Sequence, residues 1–255
     1  MTAGVLRILG AHGIRIFCAE DIQFLSEEIG ISKTYIRRML SLMAQKEEIV
    51  SYGQGLYSLP IELLAGSPIH SFEIALKLAR KGSISYRSAL QHYNLTDQFS
   101  NTIYITVPKE TGANLSSNTE YKINGVIYKL IRINPKKYWG IKNEFIDEIR
   151  ISITDIERTL IDCLSHPEFC SGMREVIFAF EKILPNVDIS KLFNYATSIS
   201  IAVSKRLGWI LNKLGQLEEL QVRLKEIPAN QYQKLDPNHT RSGKYNKSWM
   251  IVENI

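Results

Sequence analysis

Cysteines, catalytic motifs and long apolar runs are what this chain of 255 residues has least of. Its three cysteines, Cys18, Cys163 and Cys170, are too few for a disulfide framework. None stands in a C-x-x-C pair or with a histidine at zinc-ligand spacing, so reduced and mostly buried thiols are expected. The five histidines are scattered and none is at H-E-x-x-H spacing. The phosphate-cradling patterns G-x-x-x-x-G-K-[ST] and G-x-G-x-x-G are missing, as is the G-x-S-x-G nucleophile elbow. These absences predict no cofactor, no metal ligands and no catalytic residues. No stretch approaches the roughly 18–20 apolar residues of a membrane span, and the first residues lack the basic-then-apolar pattern of a secretory signal. A cytoplasmic protein with no membrane partner is expected.

Glycine and proline are sparse too, at 15 and 8 residues, while 45% of the chain is hydrophobic and 22% charged. That profile excludes disorder and low complexity and is that of an ordinary globular protein. The length exceeds one domain of about 100–150 residues, which favours two. Net charge is small, at +5, from 31 basic and 26 acidic side chains. Its distribution matters more than its sum, because phosphate binding depends on clustered Lys and Arg. Residues 1–60 hold six basic and six acidic side chains, residues 61–150 twelve and eight, and residues 151–255 thirteen and twelve. Any nucleic-acid contact in the N-terminal third therefore depends on where its few charges fall.

Apolar periodicity predicts a helix over residues 2–10, a second over 19–29 with Ile22, Leu25 and Ile29 inward, and a third over 32–46. Gly30 suits the left-handed residue after a helix end, and Ser32 suits the N-cap of the next. Two helices joined by such a turn form a helix-turn-helix signature. In the third helix Ile36, Met39, Leu40 and Met43 make an apolar stripe, opposite or beside Lys33, Thr34, Arg37 and Arg38, with Tyr35 near the start. Such a helix could enter a major groove and read base edges. Residues 49–52 and 56–59 flank Gly53-Gln54-Gly55 and predict a hairpin closed by Pro60. Three helices followed by a β-hairpin is the plan of a winged helix-turn-helix. The expected duplex contacts are Ser32, Lys33, Thr34, Tyr35, Arg37, Arg38, Gln54 and Tyr57. The hairpin tip carries no Lys or Arg, so contacts there fall to backbone N–H groups, Gln54 or tyrosine hydroxyls.

Residues 61–70 read as a connector and residues 71–255 as a second domain. Helices are expected over 71–80 and 85–93, where Lys77, Arg80, Lys81 and Arg87 concentrate charge as a candidate second basic surface. Strands follow over 102–107, 126–133 and 149–153, with a tight hairpin at Asn124-Gly125. A capping box is expected in which Thr154 and Glu157 satisfy each other's backbone N–H groups. The box opens a helix with Ile156, Leu160, Ile161 and Leu164 inward that ends before Pro167, and helices follow over 172–184, 189–214 with a break near 198–200, and 217–226. The end of the chain interleaves Arg241, Lys244 and Lys247 with Tyr245 and Trp249, and residues 249–252 read as a last strand completing the sheet. The expected class is α+β, a winged helix-turn-helix followed by a mixed α/β domain with a small sheet and several helices.

Three segments, residues 31–60, 84–109 and 151–176, resemble in order the AbiEi family of bacterial antitoxins and transcriptional regulators. The most specific parts are Ser85-Tyr86-x-Ser88-Ala89-Leu90 with Leu95-Thr96-x-Gln98, the run from Ile156 to Asp162, and Trp249 with Asn254. The resemblance implies a non-enzymatic autorepressor that binds repeats in its own promoter as double-stranded DNA. It also implies an antitoxin that counteracts a nucleotidyltransferase-like AbiEii toxin without the two proteins needing to touch. Read from the residues alone, two other classes stay open. One is a metal-dependent nuclease using the acid-x-Lys pair Glu120 and Lys122; the other is a regulator or protein-interaction adaptor without a toxin partner.

Overall fold

The computed structural model describes residues 2–64, 67–109 and 119–255, with the side chains of Thr2 and Lys33 outside the description. The connector's residues 65–66 and the Lys33 side chain, both part of the sequence expectations, thus lie outside the described residues. The described residues form a mixed α+β fold with ten α-helices and three sheets.

The N-terminal elements are α1 (Thr2–Ala11), β1 (Ile16–Cys18), α2 (Leu25–Glu28), α3 (Lys33–Gln45), β2 (Val50–Gly53) and β3 (Leu56–Ser58). The sheet order is β1-β3-β2, antiparallel throughout. The helix expected over 19–29 is cut down to α2, and β1 precedes it. The cause is local: the Asp21 carboxylate accepts the Cys18 N–H at 2.8 Å, and the N–H groups of Asp21, Leu25, Ser26 and Glu27 each donate to the carbonyl three residues back instead of four. Ile22 and Leu25 stay buried all the same. Gly30 has φ +68, the left-handed conformation expected of it. Ser32 caps α3, its Oγ accepting the Tyr35 N–H at 3.2 Å. Ile36, Met39, Leu40 and Met43 pack with Val5, Leu9, Phe17, Ile22, Leu25, Ile49 and Leu59 in one core.

Next come α4 (Ser71–Ala79), β4 (Ser83–Ile84), α5 (Tyr86–His92), β5 (Thr102–Pro108), β6 (Thr119–Ile123), β7 (Val126–Ile133), β8 (Ile141–Ile146) and β9 (Ile149–Thr154). The sheet is larger than expected. Six strands run in the order β6-β7-β5-β4-β9-β8, with β5/β7 and β4/β9 parallel and the other pairs antiparallel. The hairpin turn at Asn124-Gly125 takes positive φ at both residues, as expected. Alternation along β5 sends Ile103 and Ile105 to one face and Tyr104 to the other. The first face packs against α4 and also takes Ile16 and Leu56 of the N-terminal sheet. Arg15 ties the same two parts together, bonding Glu73 at 3.1 Å and the Ser67 and Pro68 carbonyls.

The other face carries α6 (Ile156–Ser165), α7 (Met173–Ile183), α8 (Ile189–Ile199), α9 (Ile201–Lys213) and α10 (Glu218–Lys225), with the predicted break falling at Ser200. The chain ends in β10 (Gln233–Lys234), β11 (Lys244–Asn246) and β12 (Ile251–Glu253). These form their own sheet, β10-β12-β11, instead of completing the large one. Trp249 lies before β12 and is buried against α9.

The capping box expected at Thr154 and Glu157 is not formed. Thr154 is the last residue of β9, its Oγ1 bonded to that of Thr159 at 2.7 Å, and Asp155 takes the cap by accepting the Arg158 N–H at 2.8 Å. Glu157 turns instead to α8, accepting the Asp188 N–H at 2.9 Å and pairing with Lys191 at 3.2 Å. Burial works against ionisation of Glu157, but the Asp188 N–H, its own N–H and Lys191 together hold the carboxyl below its ordinary 4.5. The stabilisation is therefore present above pH 4.5 and is lost as pH falls through the lower folded value. Glu157→Gln is expected to cost about 1.5–3 kcal/mol at pH 7, the range for hydrogen bonds to charged groups. Urea unfolding should show the wild-type advantage shrinking on acidification below pH 4.5; a constant difference would refute it.

Candidate nucleic-acid interface

With its apolar stripe buried, α3 leaves Thr34, Arg37, Arg38, Ser41 and Gln45 exposed, with Leu42 exposed beside them. Steps of three and four place these residues in one row along the helix. Ser41 and Gln45 extend the row beyond the expected contacts. The same spacing was present in the sequence, where polarity without charge gave it no emphasis. Of the expected contacts, Ser32 is occupied as the cap and bonds Thr34 Oγ1 at 3.1 Å. Tyr35 is half-buried against the N-terminal core and is largely a packing residue. Arg38 is exposed and has no hydrogen bond or ion pair among the described residues.

Arg37 is placed differently. Its side chain is 76% exposed, yet Nη2 lies 2.7 Å from Glu20 Oε1 in the turn before α2. This hydrogen bond, supported by Cys18 and by the Glu20 N–H, lowers the Glu20 carboxyl from 4.5 to about 2. Glu20 therefore stays ionised at any physiological pH. The neighbouring Asp21 meets the Cys18 N–H and Lys77 Nζ, the latter at 3.1 Å. Burial opposes ionisation of Asp21, and these partners outweigh it. The partners of both acids lie far along the chain, where spacing along the sequence does not point to them.

A groove of about 390 Å³ opens beside α3. Glu20 and Arg37 line it, together with Gln54 and Tyr57 of the hairpin, Lys77 of α4, Arg80 just after that helix, and Tyr121 of β6. Gln54 stands at the hairpin tip with φ +55, exposed between two glycines that also have positive φ. Tyr57 is half-buried, its ring 6.3 Å from that of Phe17. The expected second basic surface is split. Lys77 and Arg80 join the groove, whereas Arg87, on α5, bonds Gln98 Oε1 and the Phe99 carbonyl and does not line it. Arg80 and Lys81 are exposed without side-chain partners among the described residues.

The acid-x-Lys pair lies on β6, where Glu120 is 3.5 Å from Lys129. Among the described residues no group of three His, Cys, Asp or Glu side chains is arranged to hold a metal ion, and no helix is long and apolar enough to cross a membrane. In the last sheet Arg241 is engaged with the Tyr232 carbonyl at 2.7 Å, and the Tyr245 ring packs on that of Tyr232.

No family model matches the chain, and no curated protein matches its sequence. Among solved structures the chain is similar to the crystal structure of the RV2827C protein from Mycobacterium tuberculosis, at a TM-score of 0.67 and 14% identity. The likeness covers 97% of this chain and 89% of that one. It is a likeness of fold along nearly the whole length of both chains. At that identity it says nothing of the residues lining the groove.

Proposed function

We propose that this protein is a DNA-binding transcriptional autorepressor and antitoxin of the AbiEi kind, in which residues 1–60 act as a winged helix-turn-helix. The observation that carries this reading is the exposed row Thr34, Arg37, Arg38, Ser41 and Gln45 on a helix whose opposite face is buried. A helix anchored on one side and polar on the other can lie in a major groove about 12 Å wide. The element order α1–β1–α2–α3–β2–β3 suits this role, with the β2–β3 hairpin as the wing. Arg80, just after α4 and without a side-chain partner among the described residues, adds positive charge beside the helix, while Lys77 is paired with Asp21.

The test uses the full chain with Arg37 and Arg38 both replaced by alanine, in two assays. Binding to the DNA upstream of its own gene is expected to weaken about ten-fold or more, with the salt slope shallower by about one unit. Neutralisation of the neighbouring nucleotidyltransferase-like toxin on co-expression is expected to persist, because it does not pass through α3. Unchanged affinity and salt slope would overturn the repressor reading. Failure of the wild-type chain to relieve toxicity would overturn the antitoxin reading.

A further inference from the structure

The two arginines of α3 differ in what surrounds them. Arg38 is a free cation at the surface, whereas Arg37 is held by a carboxylate that lines the same groove. An exposed ion pair of this kind contributes little to folding stability. It does change what Arg37 can bind. The pair carries no net charge, so it displaces few counterions when DNA docks. A phosphate brought to Arg37 would also sit beside an ionised carboxylate and be repelled by it, while the uncharged edge of a base would not. Glu20 takes one of the two Nη2 hydrogens and tethers the guanidinium at that end, leaving Nε and Nη1 without partners among the described residues. The second Nη2 hydrogen, with Nε–H or an Nη1 hydrogen beside it, makes an edge that matches the O6 and N7 acceptors of guanine. Carboxylate repulsion of the wrong partner combined with orientation toward the right one is how interfaces gain specificity.

Resting on the reading of α3 as the DNA-contacting helix, we infer that Glu20 is a positioning residue that makes Arg37 a guanine reader and leaves the phosphate contact to Arg38. The pair has a division of labour that a merely structural ion pair would not produce. Removing the Glu20 charge should free Arg37 to bind any phosphate, raising affinity for all DNA and lowering discrimination. Removing Arg37 should lower discrimination without altering the salt slope. Removing Arg38 should do the reverse.

The experiment measures the affinity of the full chain and of Glu20→Gln, Arg37→Ala and Arg38→Ala. The probes are a duplex from upstream of its own gene and a mixed-sequence duplex of equal length, each across a salt series. Glu20→Gln is expected to bind the mixed duplex more tightly, with a slope steeper by about 0.9, and to lose about ten-fold in the ratio between the two duplexes. Arg37→Ala should lose a similar ratio at unchanged slope, and Arg38→Ala should show a slope shallower by about 0.9 at an unchanged ratio. Replacing the guanines of the upstream duplex one at a time by 7-deazaguanine, which lacks the N7 acceptor, should weaken the wild type at one position where Arg37→Ala is indifferent. A Glu20→Gln variant with wild-type ratio and slope overturns the inference, as does an Arg37→Ala variant that behaves like Arg38→Ala. A wild-type chain that binds neither duplex, or both equally, overturns the DNA-binding reading and the inference with it. Matching thermal midpoints for all four proteins will exclude unfolding as the cause.

Discussion

Trp249→Ala is expected to cost about 3–5 kcal/mol of folding stability, the range for truncating a fully buried aromatic side chain. That is a large part of the roughly 5–15 kcal/mol that holds a domain together. The indole is 1% exposed and lies flat on α9 at a position where only hydrogen fits. A Cβ built on Gly208 would fall 1.9 Å from Trp249 Cζ3 and 2.5 Å from Cε3. Lys225 of α10 stacks above the ring at 5.2 Å, so one side chain joins α9, α10 and the last sheet. Gly208→Ala alone should also destabilise, by about 1–3 kcal/mol, because the indole must move. In a Trp249→Ala background the same substitution should cost nothing or stabilise by up to about 1 kcal/mol, since alanine is the better helix former once the obstacle is gone. Urea midpoints of the two single variants and the double variant give the coupling directly, and additive costs would refute the contact. Trp249→Phe should be the mildest change at this position. The indole N–H is buried without a hydrogen-bond partner among the described residues, so losing it recovers part of the cost of the lost ring.

This contact shows where reading the sequence stops. Periodicity of 3.6 places α1, α3, α4 and α6 to α10 within a residue or two, because each buries a stripe that recurs at three and four residues. It places Gly208 inside α9 without saying that an indole 41 residues later needs the space. The same limit hides the roles of Lys205 and Arg206. Both look like the polar face of an amphipathic helix, yet both are buried. Lys205 Nζ donates to the Leu224 and Lys225 carbonyls at the end of α10, and Arg206 to the Leu164 carbonyl near the end of α6 and to that of Lys234. Each cation satisfies helix-terminal carbonyls that would otherwise be orphaned.

Strands were harder where they are short or exposed. β4 has two residues, and β8 buries none of its side chains fully, so neither presents an apolar pattern of its own. In the candidate interface, the row on α3 was legible from spacing and the hairpin from its glycines. Glu20 was not, because its partner is 17 residues away and the contact depends on how the turn before α2 packs on α3. Nor could composition divide Lys77 and Arg80 from Arg87, since the division comes from α4 and α5 packing on opposite faces of the large sheet.

The second large effect concerns Arg158 and Asp162 on α6, which are 3% and 4% exposed and joined at 2.8 Å from Nε to Oδ2. Asp162→Ala is expected to cost about 3–5 kcal/mol, because the charge left behind has nowhere to be solvated. The guanidinium is covered by the Trp139 ring, 3.9 Å from its centre, and Gly140 lies against the base of the Arg158 side chain. Gly140 has φ +69, and a Cβ there would fall 2.9 Å from that of Arg158. Arg158 Nη1 already lacks a partner among the described residues, so none of them offers a spare acceptor to replace the lost carboxylate. Arg158→Ala should be comparably costly from the other side, stranding the carboxylate. Replacing both at once, Arg158→Met with Asp162→Val, keeps the combined volume close and removes both charges, and a buried pair so replaced is often neutral or better. The double variant should therefore unfold at a higher urea concentration than either single variant. If it is the least stable of the three, the pair contributes net stability, and the burial cost assigned to its charges is wrong. Since the pair lies within the Ile156 to Asp162 run, retention of DNA binding by the double variant would assign the run to folding, and loss of binding at unchanged stability would assign it to function.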